Sequence, residues 1–441
     1  MMPDRGDAPP TASSQCSPEQ AIDHFLKRLT GSCRLLVAFS GGGDSTGLLA
    51  ALSAACGSRP DISLHSVTVD HDLRAGSAEE ARAAGRVSQE LGVPHSIARW
   101  TGEKPETGIQ AAAREARYRL LAAEAVRFGA DVIVTGHNLD DQAETLFMRR
   151  QRNPDHAEGM DEAVLVERRT WVVRPFLKVR RVAIRDYLRH RSLRWIDDPS
   201  NDNPAFERVR VRNSEAQPDD ILSVESRSNV FGAAAAFVRE CVTVVPGPVA
   251  VVDLGGYTSD NPAHWTAIAT LAATIGGRVH GPDSRAASTV TGRLADGGDF
   301  RASVNRVLFH RRGPMLYLYR EERGLPEASY LPGQTGVWDG RYEIVNRGLD
   351  PVLIGAGRSL ATACRLLPAA SDDALPNEVA RRIEASTPRL LDGDRVAISV
   401  RMMLAPFERF LPARKLDLAN SLAKAFELEQ FPSLPLSNGA F

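Results

Sequence analysis

Apolar positions along the chain fall into two regimes. From about residue 21 to Asn138, short apolar runs alternate with longer stretches of helical composition. Arg34–Ser40 (RLLVAFS) reads as a buried strand closing on a glycine turn, Ile62–Asp70 as a second strand, His95–Trp100 as a short third and Asp131–Thr135 as a fourth. Between them Thr46–Ala55, Ala78–Leu91 and Gln110–Phe128 have helical patterns. Strands alternating with helices in this way predict a doubly wound parallel sheet, an α/β fold. Val179–His190 reads as a further helix and Asp197–Pro204 as a loop. Beyond Asn213 the regularity stops. Gln217–Asn229 is a polar linker, 232–320 mixes Ala-rich helical pieces with Gly-punctuated ones, and from Tyr330 short strands sit among Gly and Pro. The pattern divides the chain into a disordered tail (1–20), an α/β domain (21–215) and two smaller mixed α+β domains (225–325 and 330–441).

Length agrees with that division, since 441 residues at roughly 150 per domain give about three. No apolar run approaches the roughly 18–20 residues of a membrane span; the longest, Cys241–Val252, is interrupted by Pro246 and Pro248. The first twenty residues lack the basic start and apolar core of a secretory signal. Five cysteines, odd in number and never in a CxxC pair, argue against a disulfide framework, a zinc ribbon or an iron–sulfur cluster and suit a reducing cytoplasm. Net charge is −1, but between Arg168 and Arg212 thirteen basic side chains face five acidic ones. Twelve of the thirteen are arginine, whose planar fork suits phosphate. That stretch is either a solvated helix face or a nucleic-acid contact.

The sharpest local signal is Ser40-Gly41-Gly42-Gly43-Asp44-Ser45, which follows a strand and opens a helix. Glycines let backbone N–H groups converge on an anion, and a helix N-terminus adds its positive end. Ser40 and Ser45 supply hydroxyl donors. Asp44 would repel phosphate without a cation between them, which points to Mg²⁺. No Lys follows the glycines, so the loop is neither a Walker A motif nor a GxGxxG fingerprint. Asp141 and Glu144 are three apart near a helix start and share a face. They either hold and deprotonate an amine or complement the helix dipole behind an Asn138 cap. His137 lies at the carboxyl end of a predicted strand, where open α/β sheets bind ligands. Arg114 and Arg117 share a helix face.

SGGGDS resembles the PP-loop of N-type ATP pyrophosphatases, which activate a carbonyl oxygen as an adenylate. Four further stretches are VDHDLR (69–74), QAAAREARY (110–118), GHNLDDQAET (136–145) and the run from RPFL through WIDDPSN to FERVRVRN (174–213). Together with the loop they resemble the tRNA(Ile)-lysidine synthetase family over about residues 32–213. The resemblance implies ATP-dependent joining of L-lysine to C2 of the wobble cytidine in CAU-anticodon tRNA(Ile), with Mg²⁺ held at Asp44. It implies that Ser40 to Ser45 bind ATP, that Arg117 contacts the α-phosphate and that His137 lies near the reacting phosphate. Lysine would be held by Asp141 and Glu144, with Arg210 positioning lysine or RNA. Asp70 and His71 would lie near the adenosine. The remaining arginines of the basic run are expected on tRNA phosphates, and a second copy of the chain is a further candidate partner. Alternatives are a tRNA 2-thiolation enzyme and a non-catalytic tRNA-binding protein. Two departures from the family pattern stand out: Asn138 replaces a second His, and the segment before Gly159-Met160 lacks the usual glycine-rich loop.

Overall fold

A computed structural model describes residues 16–152, 158–196, 211, 228–357, 364–367 and 375–437. The chain divides into two compact units, residues 1–225 with 433–441, and residues 226–432.

The first unit opens with α1 (Pro18–Arg28), where Ser17 and Gln20 form a reciprocal capping box. The helix therefore begins inside the stretch read from sequence as a tail. There follow β1 (Cys33–Ala38), α2 (Gly43–Cys56), β2 (Ile62–Asp70), α3 (Ser77–Glu90), β3 (His95–Arg99), α4 (Ile109–Phe128), β4 (Val132–Thr135), α5 (Leu139–Arg152), β5 (Ala163–Val166), β6 (Thr170–Val173) and α6 (Arg181–His190). Within this unit the strands lie in the order β5-β6-β4-β1-β2-β3. All adjacent pairs are parallel except β5 with β6. Leu35, Leu36 and Val37 of β1 are buried without alternation, as a central strand covered on both faces requires. The chain leaves β1 for β2 and β3 on one side and returns to β4 on the other. The strand order thus reverses between β1 and β4, the position where such sheets form a ligand crevice at their carboxyl ends.

Helices α2 and α6 meet at Gly47, where a Cβ would stand 2.3 Å from Ile184 Cγ2. Gly47→Ala is therefore expected to overpack this contact by about 1–3 kcal/mol and lower the melting temperature by roughly 2–10 °C. Combined with Ile184→Ala, it should cost less than the two changes summed, which thermal melts of the three variants check.

The second unit carries a five-stranded antiparallel sheet in the order Val242–Val245, Val249–Asp253, Met315–Arg320, Val307–Arg312, Phe300–Val304. Four-stranded and three-stranded antiparallel sheets follow, sharing a core of Tyr330, Trp338, Tyr342, Ile344, Val352, Ile354 and Leu390. Buried Asp339 accepts from Arg320 at 2.9 Å and from Arg341 at 2.6 Å, fixing the turn before the middle strand of the three. No helix among the described residues is long and apolar enough to cross a membrane.

Candidate functional site

The glycine-rich loop leaves β1 and enters α2 with Gly42 as the helix cap, without a side-chain acceptor. Gly41 has φ +79°, a left-handed conformation that suits glycine. A Cβ there would also come within 2.7 Å of Ile196 Cδ1. Ile196 lies over the loop, its N–H donating to Gly41 O at 2.9 Å. The hydroxyls of Ser40 and Ser45 face each other at 3.0 Å, and Ser45 Oγ also lies 3.0 Å from Gly42 O as a donor. They brace the loop in this state, where the sequence suggested donors for phosphate.

The β4–α5 turn lies against the same loop. A Cβ on Gly136 would stand 2.9 Å from Asp44 O and 3.1 Å from Ser45 N, so only glycine lets the two loops approach. His137 Nδ1 is 2.9 Å from Thr135 Oγ1. At the start of α5, Asp141 N donates to Asn138 Oδ1 while Asn138 N donates to Asp141 Oδ2. Asp141 thus caps its own helix with one oxygen and keeps the other for a cation.

That cation is Arg181, the first residue of α6. Its guanidinium lies 2.8 Å from Asp141 Oδ1, 3.2 Å from Glu144 Oε1 and 3.4 Å from Asp44 Oδ2. Its backbone N–H donates to Asp140 Oδ2 at 2.7 Å, so Asp140 serves the helix start and points away from the other acids. Burial raises the Asp44 carboxyl above its usual range, with Asp141 adding to the rise and Arg181 opposing it. Burial works against the Arg181 charge, but Asp141, Asp44 and Glu144 outweigh it and push its pKa upward.

Beside the loop, at the carboxyl ends of β1 and β2, lies a cleft of about 330 Å³ lined by Ser40, Thr68, Asp70, His71, Arg74 and Arg117 among others. His71 is held below its ordinary pKa by burial and then by Arg117, which favours its neutral form. Apolar side chains such as Phe39, Val69 and Leu121 line the cleft together with two arginines and two acids, a mixture that suits a nucleoside.

A profile of the PP-loop domain matches residues 15–217. A tRNA(Ile)-lysidine synthase of Rhizobium meliloti is 37% identical over 94% of this chain and 96% of its own length. One of Mesorhizobium japonicum is 37% identical over 91% and 94%. The chain belongs to the tRNA(Ile)-lysidine synthase family. A solved U34-tRNA thiolase from Methanococcus maripaludis overlays on 47% of the chain and 77% of its own, with a TM-score of 0.39 at 15% identity.

As a tRNA(Ile)-lysidine synthase family member, the chain is an ATP-using PP-loop enzyme with its loop at the sheet's reversal point. The structure gathers Asp44, Asp141 and Glu144 around one guanidinium and sets Arg117 in the cleft. Arg114 packs instead on Tyr118, its guanidinium carbon 5.2 Å from the ring centre. Arg208, Arg210 and Arg212 lie outside the described residues. Two arginines assigned from sequence to RNA contact are engaged by internal partners: Arg181 as above, and buried Arg174, whose Nη1 donates to Asp161 O at 2.6 Å. Gln142 holds the returning segment by accepting from Met160 N and donating to Met160 O at 2.8 Å, so the Gly159-Met160 pair is anchored on α5. Sequence reasoning missed Arg181 because it counted only as one charge in a basic run. The acids at 44, 141 and 144, once grouped, were the signal that a cation belonged between them.

Proposed function

We propose that the enzyme joins L-lysine to C2 of the wobble cytidine of CAU-anticodon tRNA(Ile). Cytosine O2 attacks the α-phosphorus of ATP and pyrophosphate leaves. The lysine ε-amine then attacks C2, the C2–O2 bond breaks, and AMP departs with that oxygen, giving lysidine. The observation that supports this reading is the Arg181 bridge, because it holds the carboxylates of Asp141 and Glu144, the proposed amine ligands, within one side chain's reach of the phosphate loop.

The loop from Ser40 to Ser45 would hold the departing pyrophosphate with backbone N–H groups and the start of α2. Arg117, which lines the cleft beside the loop, would offset the charge that grows on the α-phosphate in the transition state. His137 would stand beside the same phosphate, oriented by Thr135. Asp141 and Glu144 would bind the lysine amine and take its proton, and Arg210 would help place lysine or RNA. Asp44 suits Mg²⁺, a hard cation that takes one carboxylate and fills its other positions with phosphate and water oxygens. Its ion pair with Arg181, at 3.4 Å, is the longest of the three at that guanidinium, so a second cation would complete its neutralisation. Mg²⁺ would neutralise phosphate charge there. The mixed α+β segments at 225–325 and 330–441 would recognise tRNA, in the cytoplasm, with a homodimer as a candidate assembly.

The reading is tested with ATP labelled in the α-phosphate and unmodified CAU-anticodon tRNA(Ile), without lysine. Label should pass onto the tRNA as an adenylate and be released as AMP when lysine is added. Label released with no tRNA-bound intermediate would overturn the sequence of steps, and tRNA binding without ATP consumption would leave only the non-catalytic alternative.

A further inference from the structure

The lysine site proposed above is filled in this structure by a side chain of the protein itself. Arg181 places Nη2 2.8 Å from Asp141 Oδ1 and Nη1 3.2 Å from Glu144 Oε1, the oxygens a substrate ammonium would need. A second cation beside the guanidinium would be repelled, and more strongly in a partly buried setting than in water. Arginine and lysine therefore compete for the pair. The third contact shows where the arginine could go. Nε sits 3.4 Å from Asp44 Oδ2, the longest of the three, so the side chain already leans toward the phosphate loop. Phosphate accepts a guanidinium fork in two parallel hydrogen bonds, a stronger partner than an acid at 3.4 Å. The backbone is meanwhile pinned, since Arg181 N donates to Asp140 Oδ2 and Ile184 one turn on is wedged at Gly47. Movement is thus confined to the side chain.

We propose that Arg181 stands in for the substrate ammonium in the nucleotide-free protein and swings onto the ATP phosphates when nucleotide binds, opening the lysine site only once ATP is in place. The proposal rests on Asp141 and Glu144 being that site. It makes Arg181 a positioning residue with two tasks: it keeps both carboxylates paired and aligned before substrate arrives, and it couples lysine entry to nucleotide. Lysine binding is then ordered after ATP, so the amine is admitted only when there is something to activate.

Calorimetric titration of the full chain with L-lysine tests this, with and without a non-hydrolysable ATP analogue and Mg²⁺. The wild type should bind lysine at least about tenfold more tightly with the analogue. Arg181→Gln, which keeps donors but removes the charge, should bind lysine without nucleotide at least about tenfold more tightly than wild type and gain little from the analogue. Arg181→Met should behave alike, with a melt and analogue binding establishing that each variant is folded; Arg181→Lys should restore the nucleotide dependence. Equal lysine affinity with and without analogue in the wild type overturns the proposal, and that comparison needs no variant. So does an Arg181→Gln protein that binds lysine no better than wild type. The pair Asp141→Asn with Glu144→Gln separates the two readings. If lysine still binds to it, the amine site lies elsewhere; if binding is lost while the Arg181 variants gain nothing, only the displacement fails.

Discussion

Asp141→Asn raises the KM for lysine by about 10²-fold or more and leaves the KM for ATP within a few-fold. Removing one partner of a buried, hydrogen-bonded charge pair costs about 2–5 kcal/mol, and the loss falls on whichever ligand makes the pair. The substitution is conservative in every other respect. A carboxamide oxygen still accepts from Asn138 N, and the backbone N–H of residue 141 still donates to Asn138 Oδ1, so α5 starts as before. Asp140→Asn provides the contrast. The Asp140 carboxyl group accepts from the backbone N–H of Arg181 at the start of α6 and pairs with Arg180 at 3.4 Å, outside the proposed amine site, so the lysine KM of this variant should stay near the wild-type value. Steady-state kinetics with lysine varied at saturating ATP and tRNA measure both. An Asp141→Asn enzyme with an unchanged lysine KM removes that residue from the substrate.

Gly136→Ala lowers kcat/KM by about 10²-fold with a modest change in stability, through geometry alone. The added methyl would stand 2.9 Å from Asp44 O, 3.0 Å from Asp44 C and 3.1 Å from Ser45 N. Those are backbone atoms of the phosphate loop and cannot rotate aside as a side chain would, so the loop or the His137 turn must shift. Gly42→Ala is the control for the free fold, because its Cβ would meet Ser40 Oγ at an ordinary 3.5 Å. Melting temperatures of the two variants together with their ATP and lysine kinetics separate a displaced loop from an unfolded one. Full activity in Gly136→Ala would mean that the approach of the two loops does not matter to the reaction.

Much of the α/β unit was legible in the sequence. The run Ile62–Asp70 is the strand predicted, and the helix over Gln110–Phe128 differs only by starting at Ile109. Both have a clear period and sit between glycine or polar breaks. The β5–β6 hairpin was not seen. Its turn residues Glu167 and Arg168 adopt φ +49° and +56° without the Asn or Gly that usually announces such a turn. Its strands are buried throughout and show no alternation. In the site, spacing along α5 correctly put Asp141 and Glu144 on one face. The partner they share comes from α6, about forty residues on, and no local pattern links Arg181 to them. Hydroxyl placement was also beyond sequence, since Ser40 and Ser45 pair with each other across the glycine turn.

The most direct measurement is incorporation of labelled lysine into unmodified CAU-anticodon tRNA(Ile), with ATP and Mg²⁺, alongside Asp44→Ala. The account predicts ATP-dependent incorporation at the wobble cytidine by the wild type, with AMP and pyrophosphate released, and none above background in the variant. AMP and pyrophosphate released with a different nucleophile attached, or lysine joined equally well by Asp44→Ala, would contradict it.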